Sequence, residues 1–206
     1  DTVPVFSDEQ LLGYSATISP DGNWVAFLSP VSQGIQLYNF DDASGTIIRN
    51  QMGMAAQWSP DSAEIAVSDV VFTDEIWNTL ISGVNARTAE ATVLSQPGPE
   101  DEGLEDANPV FSPDGQRLAF TRKQAGAVTG RQIWTMNRDG TNAQPLTTED
   151  GVHHGLLAYS PDGQALVYQR FNLKDLNSQT GVWVLDLRTG ETHEIAPEAA
   201  QPAWLP

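Results

Sequence analysis

The carboxylates of this chain are densest at Glu100, Asp101, Glu102, Glu105 and Asp106. Several carboxylate oxygens in one place are what a hard cation such as Ca²⁺ requires, and the same charge attracts a basic partner. The spacing is not the alternating one of an EF-hand loop. Pro97, Gly98 and Pro99 just before it have the composition of a solvated linker between repeats. Two of the three histidines are adjacent, His153 and His154. Imidazole nitrogens bind Zn²⁺ or Mn²⁺, but neighbours on a strand point to opposite faces, so both serve one ion only from a loop. No third nitrogen or clustered carboxylate stands near them at ligand spacing. The expectation is therefore a chain without a resident cofactor, its histidines capping a loop. Ca²⁺ or Mn²⁺ at one of these two clusters is the alternative.

Other chemistry is removed by what the sequence lacks. With no cysteine there are no disulfides, thiolate metal sites or cysteine nucleophiles. No Gly-x-Ser-x-Gly elbow occurs, so the frame of a serine hydrolase is missing. Paired carboxylates for glycoside chemistry leave no legible trace among so many acids. Lys and Arg number 10 against 27 Asp and Glu, a formal net charge of −17 over 206 residues. Nucleic acid needs clustered cations, and an anionic membrane repels such a surface, so both are excluded as partners. No uncharged apolar stretch approaches the length of a spanning helix. A protein or peptide that is not itself acidic fits the charge best. The chain starts at Asp1, which fits a removed leader or a cut made there. Lys123 and Lys174 are its only lysines, and with the acidity this fits an extracytoplasmic setting.

The elements that must position these residues are written as a repeat. Ser19-Pro20-Asp21-Gly22 recurs as Ser59-Pro60-Asp61-Ser62, Ser112-Pro113-Asp114-Gly115 and Ser160-Pro161-Asp162-Gly163, the serine advancing by 40, 53 and 48 residues. A broken copy, Trp204-Leu205-Pro206, matches Trp58-Ser59-Pro60. Pro presets φ, Asp bonds its own backbone, and Gly accepts positive φ, so the signature is a hairpin turn. An apolar segment precedes each copy and a strand such as Arg117-Leu118-Ala119-Phe120 follows. A third strand is exemplified by Ile133-Trp134 and a fourth by Gln144–Thr147. Four short strands at this period make a propeller blade. The sequence predicts an all-β propeller with blades near 15–50, 54–96, 107–148 and 155–197. A partial fifth follows at 200–206, and Val3-Pro4-Val5-Phe6 is a candidate closing strand.

Ser-Pro-Asp-Gly, an apolar strand, Ile-Trp and the turn Asn137-Arg138-Asp139-Gly140 together resemble the Pro-Asp repeat of TolB-like, WD-repeat-like propellers. Related repeats occur in the propellers of prolyl-oligopeptidase-like peptidases. The resemblance runs from Ser15 onward. Ser62 departs from the pattern where Gly is usual, and so does Leu205 where Ser is usual. It implies a non-enzymatic docking module, exported and part of a larger assembly. The alternative it implies is an enzyme: a metal-dependent polysaccharide lyase or hydrolase with histidines near a strand start, or a peptidase's gating propeller. On the residues themselves, Trp58, Trp77, Trp134 and Trp183 are expected to pack between blades and Trp24 to be partly exposed. Open strand edges at the first and fourth blades are expected to pair with another chain.

Overall fold

A computed structural model describes residues 13–29, 33–73, 75–98, 103–175 and 177–204. The expected closing strand 3–6, the residues Glu100, Asp101 and Glu102, and Leu205 and Pro206 lie outside the described residues. Among the described residues there are strands and turns and no α-helix. No helix is long and apolar enough to cross a membrane.

The strands fall into four units, each a four-stranded antiparallel meander. The first is β1 (Tyr14–Ile18), β2 (Trp24–Ser29), β3 (Gly34–Asn39) and β4 (Gly45–Arg49). The second is β5 (Gln57–Trp58), β6 (Glu64–Thr73), β7 (Ile76–Asn85) and β8 (Ala91–Val93). The third is β9 (Leu104–Phe111), β10 (Arg117–Gln124), β11 (Gln132–Asn137) and β12 (Gln144–Pro145). The fourth is β13 (Val152–Tyr159), β14 (Ala165–Asn172), β15 (Gly181–Asp186) and β16 (Thr192–Ala196). A single parallel pairing, Thr79 with Glu105, joins the second and third units along one sheet.

The repeated turn is built the same way four times. The serine hydroxyl donates to the aspartate two residues on, at 2.5 Å for Ser19 and Asp21 and 2.6 Å for the pairs Ser59–Asp61, Ser112–Asp114 and Ser160–Asp162. It also accepts the backbone N–H that opens the next strand, from Trp24, Glu64, Arg117 and Ala165. The fourth residue is left-handed in every copy, with φ of 77° at Gly22, 58° at Ser62, 67° at Gly115 and 69° at Gly163. These polar bonds fix the turn without any help from the core, which is why so short a motif recurs legibly.

Alternation along each second strand sends successive side chains to the two neighbouring units. Ala66 packs with Leu118 and Phe120 of the next unit, while Ile65 and Val67 pack with Ala26 and Leu37 of the one before. Ala119 meets Leu166 and Tyr168 in the same way. The core is thus a row of apolar layers between stacked sheets. Two equivalent tryptophans tie the layers together: Trp58 Nε1 donates to Thr17 O at 3.2 Å, and Trp204 Nε1 donates to Ala158 O at 3.2 Å. Both carbonyls stand two residues before a turn serine, so Trp204 meets the fourth unit as Trp58 meets the first.

Three expectations fail here. β6 and β7 run ten residues each, longer than the repeat predicts, because Val70–Thr73 keep pairing with Ile76–Thr79 beyond the point where other units turn. Trp77 lies in that extension and is 63% exposed, so it does not pack between units. Trp24 is 6% exposed: its side chain joins Ala26 and Leu28 in the first layer, where the other units carry Glu64, Arg117 and Ala165.

Candidate functional site

Second and third strands join at one end of each unit, and the first strands begin there. Val152 pairs with Asn172, and Leu104 with Gln124. Half of the chain's scarce cations are ion-paired at this end: Arg122, Lys123, Arg131, Arg170 and Lys174, five of the ten. Each is held by a carboxylate, and the acids include two singled out in the sequence.

Glu105 and Asp106 are not in a solvated linker. They lie inside β9, because Leu104–Ala107 pair with Thr121–Gln124 ahead of the expected strand start, with Leu104 and Ala107 buried. Asp106 is wholly buried. It accepts from Arg122 Nε at 2.7 Å and Nη2 at 2.8 Å, a bidentate fork. The guanidinium lies over two rings, 4.8 Å from Trp134 and 5.3 Å from Phe120. Glu105, on the other face of β9, meets Lys123 at 3.3 Å and Arg131 Nη2 at 2.9 Å, and Arg131 Nη1 also donates to its carbonyl. Burial lowers the Arg131 pKa, offset in part by Glu105 and Asp106. Gly130, next to it, has no room for a side chain, since a Cβ there would collide with the Val152 carbonyl. That close approach lets His154 N donate to Arg131 O at 3.0 Å.

His153 and His154 are likewise strand residues, not loop caps. β13 starts at Val152, and its pairing with Phe171 and Arg170 sends the two rings to opposite faces. His153 stacks on Phe171 with centroids 4.7 Å apart. Burial lowers its pKa, and the positive charges of Arg131 and Lys123 lower it further. His154 is fully buried. Its Nδ1 lies 3.1 Å from the Thr147 hydroxyl, its ring meets Tyr168 edge-on, and Nε2 is 3.4 Å from Glu149 Oε1, outside hydrogen-bond geometry. Burial pushes its pKa down to about 4, outweighing the pull of Glu149 in the other direction. Tyr168 is pushed up to about 12, first by burial and then by Glu149. Glu149 is itself clamped by Arg170, whose guanidinium lies 4.3 Å from the Trp183 ring.

The two clusters read separately from the sequence are therefore one structural device in successive units. An arginine late in the second strand stacks on a third-strand tryptophan and takes a carboxylate: Asp106 in the third unit, Glu149 in the fourth. The recurrence of Arg122 with Trp134 and of Arg170 with Trp183 was the available signal. Among the described residues, no three His, Asp or Glu side chains converge as a metal-holding group. Beside this device a groove of about 440 Å³ is lined by Arg122, Lys123, Gln132, Trp134, Thr147 and Glu149.

The extended β6–β7 hairpin stands at the same end. Phe72 and Trp77 face each other across it with ring centroids 4.7 Å apart, 54% and 63% exposed. Asn78, one residue on, is buried and accepts from Leu104 N at 2.8 Å, which seats the hairpin against the start of β9.

No family model matches the chain. Among solved structures it is similar to TolB from Acinetobacter baumannii, at 18% identity and a TM-score of 0.66 over 94% of this chain and 45% of that one. An oligogalacturonate lyase in complex with manganese gives 18% identity and a TM-score of 0.65 over 92% of this chain and 54% of the lyase. A prolyl endopeptidase gives 15% and 0.66 over 96% of this chain and 30% of the peptidase. The chain thus spans about half the length of the first two and less of the third. At these identities the likeness is one of architecture, and it agrees with the four stacked meanders and their shared turn: the chain has the fold of TolB-like β-propellers.

Proposed function

We propose that this chain is a propeller docking module that binds a protein or peptide, without catalysis of its own, in an extracytoplasmic assembly. The observation that carries the reading is the β6–β7 hairpin, which holds Phe72 and Trp77 in solvent at the end where the cations gather. Large exposed aromatic pairs cost solubility and mark contact surfaces. The charged side chains beside it are tied in ion pairs and ring stacks, which suits a shaped surface better than proton transfer. The net charge of −17 favours a partner that is not acidic overall. The TolB-like fold supports the extracytoplasmic setting.

In this reading the four units are complete blades and residues 200–204 start a fifth, since Trp204 repeats the bond made by Trp58. The first blade's outer face, with Ile18 and Ile47 exposed, then receives another blade or chain. Light scattering tests that contact: a strict monomer with the face bare opposes it.

A second reading, a metal-dependent lyase, is favoured by the likeness to the manganese-bound oligogalacturonate lyase and by a histidine at the start of β13. Photo-crosslinking from position 77 in the native host, with metal content measured on the same purified protein, separates the two. A specific crosslinked partner lost on Phe72→Ser supports docking. Stoichiometric Mn²⁺ or Ca²⁺ with no partner supports the lyase.

A further inference from the structure

At the end described above, most cations have a carboxylate each: Asp106 for Arg122, Glu149 for Arg170 and Asp150 for Lys174. Lys123 and Arg131 instead share one, Glu105, at 3.3 and 2.9 Å. Among the described residues this trio carries one positive charge in excess, in a chain whose net charge is −17. Lys123 and Glu105 are partly open to solvent, with Arg131 less so. A guanidinium has five donors and an ammonium three, and Glu105 takes two of those on Arg131.

The aromatic pair adjoins this trio. Thr79 pairs directly with Glu105, and Trp77 lies two residues before it on the same strand and the same face. Gly103, two residues before Glu105, packs beside Ile76 and the Trp77 carbonyl. The aromatic pair, Glu105 and Lys123 thus share one face of the sheet where β7 and β9 come together.

We propose that this junction captures the C-terminal carboxylate of a peptide whose last side chain is apolar. The carboxylate bonds to Lys123 and Arg131, and the side chain packs on Phe72 and Trp77. This rests on the docking-module reading and names the partner's chemistry. The one positive charge in excess among the described residues matches one carboxylate. A polyanion would meet the acidic surface around it and be repelled, whereas a peptide with its terminus as the sole acid would not.

The test is NMR on the whole chain, following the Trp77 indole and Arg131 side-chain signals. The probes are N-acetyl-Ala-Ala-Leu with a free C-terminus, the same tripeptide as its amide, and digalacturonate. The free acid is expected to shift both sets of signals with a dissociation constant in the millimolar range, and the amide is not. Lys123→Gln and Arg131→Gln should each weaken binding about tenfold, the effect of one charge-assisted bond. Thermal melts check the fold, and if Arg131→Gln does not fold, Lys123→Gln, at a partly exposed strand end, is decisive. Equal shifts from acid and amide, no shift from either, or a response unchanged in the variants overturns the proposal. Shifts from digalacturonate alone overturn it and the docking reading together. A crosslinked partner indifferent to both substitutions removes this proposal and leaves the docking module standing.

Discussion

Asp106 and His154 occupy the same station in successive units: each lies six residues before its turn serine, and each pairs across the first two strands with an arginine, Arg122 or Arg170. In the third unit the station holds the arginine's carboxylate. In the fourth it holds a buried imidazole, and the carboxylate comes instead from Glu149 in the connection before β13. One architectural position therefore holds a buried imidazole in one unit and a closed ion pair in the other.

His154 should make the fold acid-sensitive. Its folded pKa of about 4 lies below the unfolded value near 6.5, so the unfolded chain takes the proton first. Stability from this group is complete above about pH 6.5 and falls as pH drops toward 4, by on the order of 3 kcal/mol. His154→Gln should flatten the stability profile in that window. Urea titrations at pH 7 and pH 5 measure it, and an unchanged slope in the variant refutes the assignment.

The Arg122–Asp106 pair should be costly to break singly. Asp106→Asn leaves a guanidinium buried without its counter-charge, at a cost of about 3–5 kcal/mol. The double replacement Asp106→Leu with Arg122→Met should cost less than either single change, because neither charge is then stranded. For the same reason, deletion of 100–106 should destabilise the third unit: it removes the start of β9 and the partners of three cations.

Ser62→Gly should be close to neutral. The left-handed backbone at Ser62, φ 58°, strains a non-glycine residue by about 1 kcal/mol, which glycine would relieve. Its hydroxyl, however, accepts from Asp21 N of the first unit at 3.0 Å, a bond of similar worth. Ser62→Ala keeps the strain and loses the bond, so it should lie about 1 kcal/mol below wild type, with glycine above it. Melting temperatures of the three proteins give the order, and alanine equal to or above glycine contradicts it.

Arg138 should act as a clamp between the second and third units. It donates to Glu64 at 2.7 Å and to Asp61 at 2.8 and 3.1 Å, and lies over the Phe111 ring. The bond from Arg138 holds the Asp61 pKa well below the usual carboxylate range. Arg138→Lys keeps the charge and loses the fork, at a cost of about 1 kcal/mol given the exposure of Asp61. The Asp61 contribution is present above its unfolded pKa and lost as pH falls below it, so the lysine variant should lose less stability between pH 5 and pH 3.

The turn was legible in the sequence because everything that shapes it is local: a serine, the aspartate it bonds and a left-handed fourth residue lie within four positions. The four-strand period and the all-β class followed from its recurrence. Trp58, Trp134 and Trp183 pack against the layers between units, as their repeat positions implied. Trp77, Glu105 and Asp106, and His153 and His154 were misread for one shared reason. Each lies where a strand outruns the repeat, and strand length is decided by pairing with a distant partner. Thr79 holds Val70 in register, Arg122 gives Asp106 its partner, and the Val152 carbonyl fits against Gly130. How the chain turns is written in neighbouring residues. Which charges are buried and which aromatic rings stay in water is not, because both depend on what the adjacent unit places opposite them.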